Sequence, residues 1–199
     1  MKYIPKEKQN TTEWSGGTTT ELYLYPADGS YKERDFLLRL STALCKDETS
    51  VFTKLQDTKR ILMVLEGEVT LSHDGKRSVR LCPGEQDTFS GEEETISHGI
   101  CRDFNLMLKG TAGGSLEYVS LGTSETRTLS LKADGVGIYL LSGSGSVWYG
   151  TECQIMQEED FLLVGMDDSE IVGNEEKKVT ITAEKQCVFV IIAICLNLK

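Results

Sequence analysis

Arg39 lies inside an apolar run, with Phe36, Leu38 and Leu40 on one strand face and Leu37 and Ser41 on its own. A charge in that setting must be paired or hydrogen-bonded, because an isolated buried ion is too costly. Two readings are open. Arg39 is either a cavity-wall guanidinium forking onto a ligand carboxylate, or half of a structural ion pair with Asp103 as first candidate partner. Asp103 and Asn105 share one strand face by the two-residue period, with Phe104, Leu106 and Leu108 on the other. A polar window ending on Met107 is how ligand pockets are often lined, and it is equally the pattern of a satisfied buried network. Near the N-terminus, Trp14-Ser-Gly-Gly-Thr18-Thr-Thr-Glu21 joins an aromatic ring to hydroxyls and an acid across a glycine pair. Such a pair permits a sharp bend or a close approach. Thr18 is then a candidate donor to a ligand, and Trp14 either covers a site or packs outside. The histidines are His73 and His98. His73 adjoins the Asp74-Gly75 turn and is expected at solvent, while His98, in a loop at 92–99, is open to a cavity. A single imidazole without a paired nucleophile is no catalytic signature, and no catalytic residue is assigned.

Strands must position these groups. Short β-rich runs at 21–25, 36–43, 61–65, 69–72, 104–108, 116–121, 126–131, 137–141, 147–149, 161–164, 179–182 and 187–196 alternate with turn signals such as Asp28-Gly29, Asp74-Gly75 and Pro83-Gly84. The spacing predicts an all-β fold with little helix. A weak repeat sets Arg60–Gly67 and the Pro83–Phe89 turn against Gly135–Gly143 and Glu158–Val164, with Asp87 opposite Asp160. The inference is two similar sandwich or barrel units in tandem, 1–110 and 111–199, the first completed by strands from the C-terminal part.

The balance of 31 acidic against 21 basic residues gives a net charge of -10. That argues against nucleic acid or an anionic membrane as partner, and leaves room for a small anionic metabolite held by local arginines. The N-terminus shows no signal-like apolar segment, and the longest apolar run, 187–196, is about half a membrane span. Six scattered cysteines without a CxxC pair then read as free thiols of a cytoplasmic protein. Strands apolar on both faces in the second half are compatible with sheet packing or with a homodimer.

Val64-Leu-Glu-Gly-Glu-Val-Thr-Leu71, followed by the Pro83-Gly84 turn, resembles the core of the cupin superfamily. The resemblance implies metal ligands at fixed offsets from these landmarks, but those positions fall near Thr53 and Leu55, on Arg60 and on Asp87. None is a histidine, and an arginine is poor company for a divalent ion, so no metal and no other cofactor is expected at these positions. Arg60 opens a strand that faces the interior in metal cupins, which favours a pocket role. A fuller match, carried by Trp14–Leu22, Arg34–Ser41, Arg60 with Leu65-Glu-Gly67, Phe89-Ser-Gly91 and Asp103–Met107, is to the HutD/Ves family of small bacterial bicupins. Leu37-Leu38 departs from it, standing where an aromatic is expected before Arg39. The resemblance implies binding of an intermediate such as formylglutamate in a regulatory or stress-linked role.

The reading is a metal-free bicupin whose Arg39 and Arg60 hold a carboxylate, whose Asn105 and Thr18 orient it, whose Asp103 orients the Arg39 guanidinium and whose Trp14 covers the site. The alternatives are a metal-independent isomerase or hydrolase using Asp103 or His98 as base, and a scaffold without ligand.

Overall fold

The computed structural model of the protein describes residues 1–130, 133–166 and 178–196; Leu131, the end of one predicted strand, lies outside them. Among the described residues every regular element is a strand except a single 3-10 turn at Lys6–Lys8. None of their helices is long and apolar enough to cross a membrane. The chain divides into two compact units, Gln9–Gly113 with Leu196, and Met1–Lys8 with Gly114–Cys195. The first residues therefore lie with the second unit, against the expected 1–110 boundary. Lys2–Ile4 (β1) pairs antiparallel with Phe161–Val164, Tyr3 standing opposite Leu162. Buried Asp160 anchors it, accepting hydrogen bonds from the Tyr3 hydroxyl at 2.6 Å, the Lys6 amide at 3.0 Å and the Gln157 amide at 2.7 Å. An exposed N-terminal segment is tied down by one buried carboxylate, a constraint with no local sequence signal.

The first unit contains Asn10–Trp14 (β2), Gly17–Tyr25 (β3), Leu38–Cys45 (β4), Thr49–Val51 (β5), Thr58–Gly67 (β6), Val69–His73 (β7), Arg77–Leu81 (β8), Gln86–Ser90 (β9), Thr95–His98 (β10) and Cys101–Lys109 (β11). They form two sheets, ordered β2-β3-β4-β11-β6-β9 and β5-β10-β7-β8. Alternation decides what faces in: Val69, Leu71 and His73 are buried along β7 while Thr70 and Ser72 are only half-buried. Asp74 and Gly75, both at positive φ, close the β7–β8 hairpin. Leu62, Val64, Leu71, Leu81 and Phe89 form the apolar core of this unit.

The second unit adds Gly113–Leu121 (β12, whose first residue belongs to the first unit), Thr126–Ser130 (β13), Gly135–Ser142 (β14), Ser144–Tyr149 (β15), Glu152–Gln157 (β16), Phe161–Val164 (β17), Lys178–Ala183 (β18) and Cys187–Cys195 (β19). Its sheets run β1-β17-β14-β19-β12 and β13-β18-β15-β16, repeating the orders β9-β6-β11-β4 and β5-β10-β7-β8. The likeness extends to detail. Gly67 ends β6 and Gly143 directly follows β14, at φ 76° and 93°, a conformation that a side chain resists. The ladder slips by one residue just before each, skipping Leu65 in one unit and Leu141 in the other. These landmarks align Arg60 with Val136, Asp103 with Phe189 and Asn105 with Ile191. They also correct the repeat drawn from sequence: Leu62 pairs with Asp87 but Ile138 with Leu162, so the residue equivalent to Asp160 is Glu85. Each caps its own turn, Glu85 accepting from the Cys82 amide as Asp160 does from Gln157.

Candidate functional site

A cavity of about 350 Å³ opens in the first unit. Its back wall comes from the pairing of β4 with β11, which places Arg39 opposite Met107, Ser41 opposite Asn105, Ala43 opposite Asp103 and Cys45 opposite Cys101. A two-residue period then brings Arg39, Ser41 and Cys45 to one face of β4, and Asp103 and Asn105 to the same side from β11. Arg60 enters from β6, opposite Met107. Phe52 and Tyr31 contribute from loops, and Trp14 from the edge strand β2.

The two arginines differ. Arg39 donates through Nε to Glu21 Oε2 at 2.7 Å and through Nη1 to Ser41 Oγ at 3.2 Å, with its guanidinium 4.0 Å from the Tyr31 ring centre. It is a neutralised, locked cation. Arg60 is buried and donates from Nε and Nη2 to the neutral Asn105 Oδ1 at 3.3 and 3.2 Å. Its guanidinium rests against Phe52 and Phe89. Among the described residues no carboxylate comes within ion-pair distance of it. Burial pulls Arg60 down to about 10, with Tyr31 and Asp103 opposing, so it remains a cation at neutral pH.

Asp103 is the inverse case. Burial pushes its carboxyl up to about 6, against the pull of Arg60 and of hydrogen bonds from Asn105 and Cys45. Those bonds are long, 3.5 Å from Asn105 Nδ2 and 3.8 Å from Cys45 Sγ. The Cys45 thiol is itself held far up, first by its hydrogen bond with Cys101 and then by burial. One face therefore carries a continuous run of cation, amide, acid and thiols.

Of the residues singled out from sequence, Trp14, Arg39, Arg60, Asp103 and Asn105 line the cavity, and Thr18 does not. Thr18 stands opposite Leu44, whereas Thr19, opposite Ala43, takes the cavity face and accepts a hydrogen bond from Trp14 Nε1 at 3.2 Å. The register is one residue from the expectation, enough to exchange faces. Trp14 folds over Gly16, where a Cβ would collide with the indole ring. Arg39 pairs with Glu21 instead of Asp103, because the β3–β4 register sets Glu21 opposite Ser41. His73 is buried rather than at solvent, with 3.0 Å to Thr95 Oγ1 and 2.9 Å to Asp87 Oδ2. His98 is exposed, lies 3.2 Å from Thr49 Oγ1 and does not reach the cavity. Asp87 turns to Arg77 at 2.8 and 3.0 Å; burial raises it, and Arg77 and His73 together hold it below the usual carboxylate range. Leu55 packs with Phe36 and Met107. The ordinary cupin ligand positions thus converge on no donor set. Sequence reasoning missed Tyr31, Phe52 and Cys45; only Cys45 had a signal, its place on the Arg39 face.

The family described as HutD matches residues 6–189 of the chain. Among solved structures, a conserved protein of unknown function from Pseudomonas aeruginosa PAO1 is similar at 20% identity and TM-score 0.79, covering 98% of each chain. HutD from Pseudomonas fluorescens SBW25, in a formate condition, is similar at 20% identity and TM-score 0.68, covering 97% of this chain and 98% of that one. A bacterial pirin from Escherichia coli in complex with nickel(II) is similar at 11% identity and TM-score 0.65, over 96% and 97%. No curated protein matches.

Proposed function

The chain belongs to the HutD family, and from that premise we propose that its first barrel binds a small carboxylate metabolite of the formylglutamate kind and serves regulation in histidine utilisation or a stress response. The observation that carries this is Arg60, a buried guanidinium that meets a neutral amide and two aromatic rings but no carboxylate among the described residues. A buried cation without a counter-ion is costly, and a ligand carboxylate is the group that relieves it, with charge-assisted bonds to planar donors. Asn105 holds the guanidinium in orientation, Ser41 and Thr19 supply hydroxyls, and Trp14 stands at the mouth with 38% of its surface exposed. Arg39, already committed to Glu21, shapes the wall. The structure of P. fluorescens HutD is one of a formate condition, and formate is the smallest probe of such a site.

A second reading has one observation in its favour. A buried carboxyl titrating near 6, as Asp103 does, suits a general base working near neutrality, which would make the protein a metal-independent isomerase or hydrolase. The two readings separate in one experiment. Calorimetry against formylglutamate, glutamate, urocanate and formate is expected to give saturable binding of formylglutamate, about 100-fold weaker in Arg60→Met, with no product released on long incubation. Product formation lost in Asp103→Asn would move the assignment to an enzyme. A folded wild-type protein that evolves no heat with any of the four would sink the carboxylate reading.

A further inference from the structure

Cys45, Cys101 and Asp103 form a cluster that the carboxylate reading does not use. Cys45 and Cys101 face each other across the β4–β11 ladder, and Asp103 follows two residues on along the same face. Directly opposed residues of an antiparallel pair bring their Cβ atoms close, and here the two sulfurs and a carboxylate oxygen all lie within 4.8 Å of one another. All three residues are buried and both thiols are free.

We propose that Cys45, Cys101 and Asp103 form a binding site for a thiophilic divalent cation of the zinc type, open toward the cavity. Two thiolates and a carboxylate make a donor set for such an ion, at bonds of about 2.3 Å to sulfur and about 2.0–2.2 Å to oxygen. Three protein ligands leave a fourth tetrahedral position. Cys45 and Asp103 line the cavity, which supplies both the entry path and room for that fourth ligand. The carboxylate is poorly held without a cation, its hydrogen bonds being 3.5 Å from Asn105 and 3.8 Å from a thiol. Asn105 orients it from behind, as outer-shell partners do. The charges also close. Two thiolates and a carboxylate around a dication leave one negative charge, and the Arg60 guanidinium, attracted to Asp103, offsets it. On binding, each thiol passes its proton to solvent and nothing is oxidised or reduced. The three ligands are not used by the carboxylate reading, which shares with this site only the nearby charge of Arg60.

The test is a titration of phosphine-reduced protein, in a Cys153→Ser background to remove the exposed thiol, with cadmium(II) and then with competing zinc(II). A thiolate-to-metal charge-transfer band saturating at one equivalent is expected, reversed by zinc, absent in Cys45→Ala/Cys101→Ala and weakened at least about tenfold in Asp103→Asn. Should the double variant fail to fold, X-ray absorption of the zinc-loaded Cys153→Ser protein counts the sulfurs directly, and two at about 2.3 Å are expected. No saturable band, a band that survives in the folded double variant, or fewer than two sulfurs at zinc overturns the proposal. Loss of carboxylate binding with the band intact would instead count against the proposed function alone.

Discussion

In the first unit the inward positions of β6 and β11 hold Arg60, Asp103 and Asn105, whereas the aligned positions of the second hold Val136, Phe189 and Ile191. Those three belong to one buried apolar cluster with Ile138, Leu140, Val147, Met156 and Ile181. Both units keep the same strand order, the same glycine at the end of the long hairpin strand and the same one-residue slip before it. The backbone thus tolerates two opposite interiors. What differs is how certain buried polar groups are partnered. In the second unit the buried acid Asp160 accepts three short hydrogen bonds, from Tyr3, Lys6 and Gln157, and so serves only to close the fold. In the first, Arg60 and Asp103 are buried with long or neutral partners. The first interior thus keeps weakly partnered polar groups beside a cavity, while the second closes over apolar side chains.

Carrying one polar group across this divide should have the largest effect. Phe189→Asn places an amide in the second core, removing an aromatic side chain and leaving polar atoms without partners. Together these should cost about 5 kcal/mol in urea unfolding, comparable with the whole stability of a domain. A loss below about 1 kcal/mol would show that the second interior is not the packed one described.

Asp103 gives the next largest effect, measured with a chelator present. Its carboxyl is raised from 3.8 to about 6 by burial, so its neutral form is the one the fold prefers. Stability from this group is fully present below the unfolded value near 4 and is lost as pH rises through about 6, by about 3 kcal/mol in all. Asp103→Asn should flatten that part of the profile and leave the variant the more stable of the two at pH 7. An unchanged decline between pH 4 and 7 in the variant would remove Asp103 as its origin.

The smallest effect belongs to the rim. Trp14→Ala should weaken ligand binding about fivefold, because the indole covers only the mouth, and should shift stability by no more than about 0.5 kcal/mol. A larger loss of stability would make Trp14 part of the barrel rather than its cover.

Much of this was legible beforehand for a definite reason. Strand alternation is local, so the shared face of Asp103 and Asn105, and that of Arg39 and Ser41, follow from a two-residue period and are present in the structure. Register is not local. Thr18 and Thr19 are equivalent by composition, and only the pairing of β3 with β4 decides that Thr19 faces the cavity. The same pairing gives Arg39 to Glu21 and leaves Asp103 beside Arg60. His73 reads as a turn neighbour, yet it is the third inward residue of β7 and is buried against Phe89.

By itself, then, the sequence determined the all-β class, the family and the absence of histidines from the ordinary cupin ligand positions, since these depend on residue type and on spacing along one strand. Tertiary structure alone decided which of the polar residues are satisfied. It joined Tyr3 to Asp160, set Cys45 against Cys101 and, among the described residues, gave Arg60 an amide as its hydrogen-bond partner, because a hydrogen-bond partner is chosen by register and closure between strands far apart in the chain.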